Sequence, residues 1–191
     1  SAAPGRPAQG GASGYPQPGR RVAVLGEDGA PVDRDEPGVL AVGRHDPGLF
    51  LGYWGQADET AAKFTGDWFL TGDTVSMDAQ GGIHYLGRDD DMMNAGGYRV
   101  SPLEVEKAMN AHPEIVESAA IEGWVNETTS IIVLYYVATT PDPDVQSIVR
   151  HAHASLARYK QPRQFCPLDA LPKGANNKIN RRALRLGYRP P

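Results

Sequence analysis

The sequence predicts a mixed α+β protein in two parts: a β-rich segment over residues 13–87, then a small α/β domain over 88–191, behind a flexible end at residues 1–12. Three observations predict it. Short runs of β-forming residues recur along the first part between turn residues, which favours a sheet or barrel-like piece. The texture changes after Arg88, where a glycine pair precedes a well-capped helix start. Beyond that point strand-like and helix-like patterns alternate, the layout of an α/β domain.

Taken in order, residues 1–12 (SAAPGRPAQGGA) have almost nothing to bury. Val22–Leu25 is the first β-like run and ends at the turn Glu27-Asp28-Gly29. Gly38–Val42, Trp68–Thr71 and Ile83–Leu86 follow, the last after Gly81-Gly82. One short helix is expected from Asp58 as N-cap through Phe64. Ser101-Pro102-Leu103-Glu104 combines a capping serine, proline at the first helical position and glutamate at the third, so a helix starts here and ends before Pro113. Ile131–Val137 is long, β-branched and aromatic, as a central strand should be. Asp144 then caps a helix with Val145, Ile148, Val149, Ala152 and Leu156 on one face. The seam between the two parts falls near Gly87–Asp91, and no internal repeat is present.

Bulk properties narrow the function. The 191 residues are 40% hydrophobic with a mean hydropathy of −0.43. No apolar run approaches the roughly 20 residues that span a bilayer, no signal-peptide layout stands at the start, and the single cysteine suits a reducing, cytoplasmic setting, which is the expected location. Cys166 is the only cysteine, which rules out an intrachain disulfide and a cysteine-rich zinc site. The net charge of −4 is unevenly spread: from Arg158 to Pro191 nine Lys/Arg face one acid, Asp169, for a net of +8, whereas the first 157 residues net −12. An acidic body with a basic C-terminal segment suggests an anionic ligand, and it argues against a nucleic-acid reader, which is usually basic throughout.

Three stretches hold candidate chemistry. Thr71-Gly72-Asp73 offers a carboxylate that can accept two hydrogen bonds from a vicinal diol, although a plain turn after a strand would use the same residues. GRDDDMMNAGGYRVSPLEVE, from Gly87 to Glu106, carries three adjacent aspartates at the seam, then the pair Gly96-Gly97. A Mg²⁺ site at the aspartates ranks low, because consecutive carboxylates on an extended segment point to opposite faces; no metal ligand is therefore assigned. The glycine pair allows positive φ and close backbone approach to a ligand, and equally a simple turn. LPKGANNKINRRALR places Lys178 on a turn behind Gly174 and Asn176-Asn177, either a solvated basic tail or a lysine delivered to a phosphate.

Together these stretches, in this order and spacing, resemble the adenylate-forming ligase superfamily of acyl- and aryl-CoA synthetases, peptide-synthetase adenylation domains and luciferases. The resemblance runs from about Ser13 to Arg185 and implies the β-rich end of a large N-terminal domain, a hinge and a mobile C-terminal lid. It implies that Asp73 holds the ribose hydroxyls of ATP or AMP, that Arg88 touches the nucleotide and that Asp90 is the hinge pivot. It further implies that Gly96, Gly97 and Arg99 belong to the loop used in thioester formation with coenzyme A, and that Lys178 contacts the carboxylate substrate and the α-phosphate. The implied partners are a small carboxylic acid, ATP with Mg²⁺, coenzyme A and an upstream domain of the same enzyme. GGYRVSPLEVE looks more like the acid–CoA ligases than the peptide synthetases.

Two departures stand out. Asn177 occupies a position where glycine is usual, tolerable because Asn best accepts left-handed angles among non-glycine residues. Glu122–Ser130 replaces a longer polar segment, which suggests an altered hairpin. Lys173, Arg181, Arg182 and Arg185 are expected to be surface charge or contacts to CoA phosphates. Trp54, Trp68 and Trp124 are expected in the core or at a domain contact, and Cys166 is expected to be packed and inert. The glycine-rich phosphate loop, adenine pocket and acyl pocket of the superfamily are not found, so the chain is expected to be a ligase fragment that is inactive alone. A peptide-synthetase module and a non-catalytic binding module are the other readings.

Overall fold

A computed structural model describes Gly5, Pro7 and residues 10–190. The expectation for residues 1–12 falls largely outside them. The chain divides into two compact units, Ser1–Asp90 and Asp91–Pro191.

The first unit is built on an antiparallel sheet. Strands β1 (Val22–Leu25) and β2 (Gly38–Gly43) pair, and β2 pairs with the ten-residue β4 (Trp68–Met77). The other edge of β4 is shared: β3 (Phe64–Thr65) covers its start and β5 (Ile83–Arg88) its end. Val24, Leu25, Ala41 and Val75 are its buried hydrophobic residues. The helix α1 (Ala57–Ala62) begins earlier than Asp58 predicts; Gln56 is the N-cap residue and makes no side-chain cap, while Asp58 sits in the first turn, where a carboxylate suits the helix dipole. Trp54 is fully exposed and Trp124 of the second unit half exposed, so of the two expectations, core or domain contact, the core does not hold for either.

In the second unit the hairpin β6 (Met93–Ala95) and β7 (Tyr98–Val100) leads into α2 (Pro102–Met109). Ser101 caps α2 by accepting the Glu104 N–H at 3.3 Å, as the sequence predicts. Strand β9 (Ser130–Ala138) lies at the centre of a three-stranded sheet, antiparallel to β8 (Ile115–Trp124) and parallel to β10 (Gln164–Pro167). Its unbroken apolar run reflects burial on both faces. Ile132, Leu134 and Tyr136 point to the side covered by α2 and by α3 (Val145–Ser155). Val133 and Tyr135 point to the side of Leu171 and Leu184, the latter on α4 (Arg181–Gly187). Asp144 caps α3 through the Ser147 N–H. Ile148, Ala152 and Leu156 are buried, but Val145, at the helix start, stays exposed. Glu122–Ser130 forms the end of the β8–β9 hairpin, closed by the Val125 N–H to Thr129 carbonyl bond at 2.9 Å.

This is a mixed α/β fold in which a sheet-based unit is followed by a small α/β domain.

Candidate functional site

Asp73 lies within β4, not in a turn after a strand, because β4 runs on through a bulge at Thr74/Val75. The strand pairing sets Asp73 opposite Arg88, and the Arg88 guanidinium donates to the Asp73 carboxylate at 3.0 Å and to the Thr71 carbonyl at 3.3 Å. Thr71 ties the stretch to β2 by donating its hydroxyl to the Leu40 carbonyl, and accepts the Asp73 N–H. Gly72 has φ +76, and a Cβ there would come 2.8 Å from the Arg88 guanidinium. Glycine is therefore needed for its backbone angle, and its missing Cβ leaves the guanidinium the room it takes. Partial burial works against the Arg88 charge, but the Asp73 and Asp90 carboxylates outweigh it and raise the Arg88 pKa.

The three aspartates form a 3₁₀ turn, Asp89–Asp91, rather than an extended segment. Their side chains go to different partners. Asp89 accepts from the buried Thr74 hydroxyl at 3.3 Å, Asp90 is exposed and 3.6 Å from Arg88, and Asp91 pairs with Arg181 and Arg185. Asp91 is thus a structural ion-pair partner and not a solvated linker charge. Among the described residues no group of three or more His, Cys, Asp or Glu is placed to hold a metal ion.

Gly96 and Gly97 are the two residues joining β6 to β7, with φ +58 and +84, the pair of positive angles of a tight I′ hairpin turn. Both are exposed, and an added Cβ would meet nothing within 4 Å. The glycines serve the backbone angle and leave open space above it. Arg99 is exposed on β7, opposite Asn94. The hairpin is held at Asn94, whose N–H donates to Glu122 at 3.3 Å and whose carbonyl accepts from the Ser130 hydroxyl at 2.7 Å. Beside the turn lies a cleft of about 470 Å³ lined by Gly96, Tyr98, Ser130, Arg158, Tyr159 and Arg163. Tyr98 and Tyr159 stack with centroids 4.5 Å apart. The two cleft arginines went unnoticed in the sequence, where they read only as part of the basic C-terminal segment; their spacing around Tyr159 was the available signal.

Lys178 is exposed on a closed turn. Lys173 and Ile179 form a β-bridge, the Gly174 N–H donates to the Lys178 carbonyl at 2.8 Å, and the Asn177 N–H donates to the Gly174 carbonyl at 3.0 Å. Asn177 takes φ +57, the left-handed angle that its side chain tolerates. Lys173 pairs with Glu117 at 2.9 Å. Arg181 and Arg185 are not surface charge: Arg181 reaches both carboxylate oxygens of Glu106 at 2.7 Å, and both arginines pair with Asp91. Cys166 is half-buried against the second face of the sheet, where burial pushes its thiol pKa up and away from nucleophile chemistry.

One unit thus holds a carboxylate–guanidinium pair at its last two strands, and the other presents a glycine turn and a lysine turn. A family model for the AMP-binding enzyme C-terminal domain matches residues 104–178. Benzoate–CoA ligase of Thauera aromatica is 37% identical over 181 residues, 92% of this chain and 34% of that protein. An uncharacterized acyl–CoA ligase of Bacillus subtilis is 34% identical over 183 residues, 94% of this chain and 35% of that protein. The crystal structure of an anthranilate CoA ligase in complex with anthranoyl-AMP superposes with a TM-score of 0.81 at 32% identity, covering 96% of this chain and 35% of that one. The chain belongs to the adenylate-forming, AMP-binding enzyme superfamily, and it carries that superfamily's C-terminal domain. It spans about a third of the length of the curated relatives it matches. No helix among the described residues is long and apolar enough to cross a membrane.

Proposed function

We propose that this chain is the C-terminal portion of an ATP-dependent carboxylic acid–CoA ligase, with Asp90 as hinge and residues 91–191 as a mobile lid. In the first step a carboxylate oxygen attacks the α-phosphorus of MgATP, the phosphorus–oxygen bond to pyrophosphate breaks, and an acyl-adenylate forms. In the second step the thiolate of coenzyme A attacks the acyl carbon and AMP leaves. The acid is an aromatic, short-chain or medium-chain carboxylate.

The observation that carries this reading is exposed Lys178 on a turn that closes through Asn177 at φ +57; the resemblance of this motif to the superfamily's final motif supports an adenylation role for the lysine. An exposed ammonium on a backbone-fixed turn can neutralise charge building up on the α-phosphate and align a carboxylate oxygen with phosphorus. Asp73 accepts hydrogen bonds from the ribose hydroxyls, and Arg88 holds that carboxylate in place from the neighbouring strand. For the second step, the Gly96-Gly97 turn lets a thiol-bearing arm pass close to the backbone. The cleft beside it, with two guanidiniums and two tyrosine rings, matches the chemistry of coenzyme A's nucleotide end, phosphates with an aromatic base.

The half-reactions separate the roles. In a ligase-length protein, Lys178→Ala should abolish ATP-dependent adenylate formation while thioester formation from supplied acyl-adenylate stays largely intact. Equal loss of both steps, or of neither, would refute the assignment of Lys178.

A further inference from the structure

The Lys178 turn is closed by backbone bonds, but those bonds fix only its shape. Its orientation on the second unit depends on the two legs. The Lys173 leg follows the buried Leu171, its Pro172 carbonyl accepts the Asn180 N–H at 2.8 Å, and Lys173 adds an ion pair to Glu117 in which both side chains are about one-third exposed, 35% and 32%. Water weakens such a pair. The other leg runs directly into α4, a seven-residue helix in which Leu184 is the only buried residue. Ile179 before α4, Leu184 within it and Tyr188 after it pack against the sheet; such apolar packing is non-directional, so it holds α4 on the sheet without alone fixing the direction of the turn.

Charges supply what packing lacks. Arg181, the first residue of α4 and three residues past Lys178, is 12% exposed in its side chain, and Glu106 on α2 is 8% exposed. The Arg181 Nη2 lies 2.7 Å from each Glu106 oxygen, and the same carboxylate accepts the Ala120 N–H of β8 at 2.8 Å. Arg181 Nη1 is 3.6 Å from Asp91, which Arg185 binds from the next turn of α4. Asp91 is the first residue of the second unit and follows the proposed hinge residue Asp90. Burying ions is costly, and apolar side chains of similar volume would often stabilise the fold as well or better. What the ions add is a fixed direction: a carboxylate held by a backbone N–H as well as by the guanidinium leaves the guanidinium few other orientations.

We infer that Glu106, Asp91 and Arg181 are positioning residues for Lys178, tying its turn to α2 and to the first residue after the hinge so that a rotation at Asp90 carries the lysine as part of one body. The inference rests on the proposed adenylation role of Lys178. None of the three touches substrate; each acts through the orientation of α4.

The test uses a ligase-length protein carrying Glu106→Gln or Arg181→Lys, with Lys178→Ala and Lys173→Ala alongside. Arg181→Lys keeps the charge but offers one nitrogen in place of the two that face Glu106 and Asp91. Adenylation and thioester formation from supplied acyl-adenylate are measured separately, and amide exchange is followed at residues 174–180 and in β9. Misplacing a catalytic group by an ångström costs up to about a hundredfold. Glu106→Gln and Arg181→Lys should therefore lower the adenylation kcat roughly tenfold to a hundredfold. KM for ATP and the thioester step should change by less than about twofold, Lys173→Ala should have a smaller effect, and exchange should quicken at 174–180 alone. Adenylation that depends on Lys178 but is untouched by both substitutions would overturn the inference alone. Loss of protection throughout β9, or equal loss of both half-reactions, would also overturn it by marking the ion pairs as a general prop of the fold. Adenylation indifferent to Lys178→Ala would remove the functional reading and this inference with it.

Discussion

Asp73 and Arg88 sit opposite each other on adjacent antiparallel strands, guanidinium 3.0 Å from carboxylate, with Gly72 leaving the arginine the space it occupies. Neither residue needs a loop to find the other; the register of β4 and β5 brings them together. Asp73→Asn should weaken AMP binding by a ligase-length protein about tenfold or more, since hydrogen bonds to an ionised carboxylate contribute roughly 1.5–3 kcal/mol. Calorimetry with AMP checks this, and an unchanged dissociation constant would remove Asp73 from the nucleotide site.

The Gly96-Gly97 turn gives a second expectation. Both residues have positive φ with open space around them, so a side chain meets no clash and only the backbone angle resists it. Gly97→Val should cost about 1–2 kcal/mol of stability in denaturant melts. It should also slow thioester formation while adenylation persists.

At Asn177 the two directions of substitution differ. The φ of +57 suits glycine at least as well as asparagine. Asn177→Gly should keep adenylation at or near its original rate, whereas Asn177→Val, which resists the left-handed angle, should lower it. Half-reaction rates of the two variants decide the matter, and a fully active valine variant would mean that the turn geometry is irrelevant.

Acid should act on the β4–β5 turn. The Asp78 carboxylate accepts from His84 at 2.9 Å and from the Gly82 and Gln80 N–H groups, and these bonds hold its pKa below the ordinary value, the His84 bond most of all. A lowered folded-state pKa gives stability that is complete above the unfolded value and is lost as the pH falls through the folded one. Asp78→Asn should therefore flatten the acid limb of the stability–pH profile below about pH 4. Glu106 has the opposite sign: burial raises its pKa against the pull of Arg181, so its contribution declines as the pH rises through that raised value. Melting temperatures from pH 2 to 7, wild type against Asp78→Asn, check the first statement.

Much of the fold was legible because its signals are local. Ser101, Pro102 and Glu104 announce α2 within four residues, and the Ile131–Val137 run announces a strand covered on both faces. Asn177 could be read as a left-handed residue from its chemistry alone. What sequence could not give are relations between distant positions. Arg181 and Glu106 are 75 residues apart and Arg185 and Asp91 are 94 apart, so the arginines looked like surface charge until the fold brought the acids to them. The extension of β4 through Thr71-Gly72-Asp73 was hidden for another reason: glycine and aspartate are poor strand formers, and a bulge with strands on both edges overrides that preference. Trp54, fully exposed, shows that a large apolar residue does not by itself place a position in a core.

The most direct test of the central claim compares this 191-residue chain with a version extended upstream to the length of its relatives. Both are incubated with MgATP, coenzyme A and a panel of short-chain, medium-chain and aromatic acids, following AMP and thioester. The account predicts turnover by the extended protein alone, with the panel naming the acid. Turnover by the 191-residue chain unaided, or none by either protein, would contradict it.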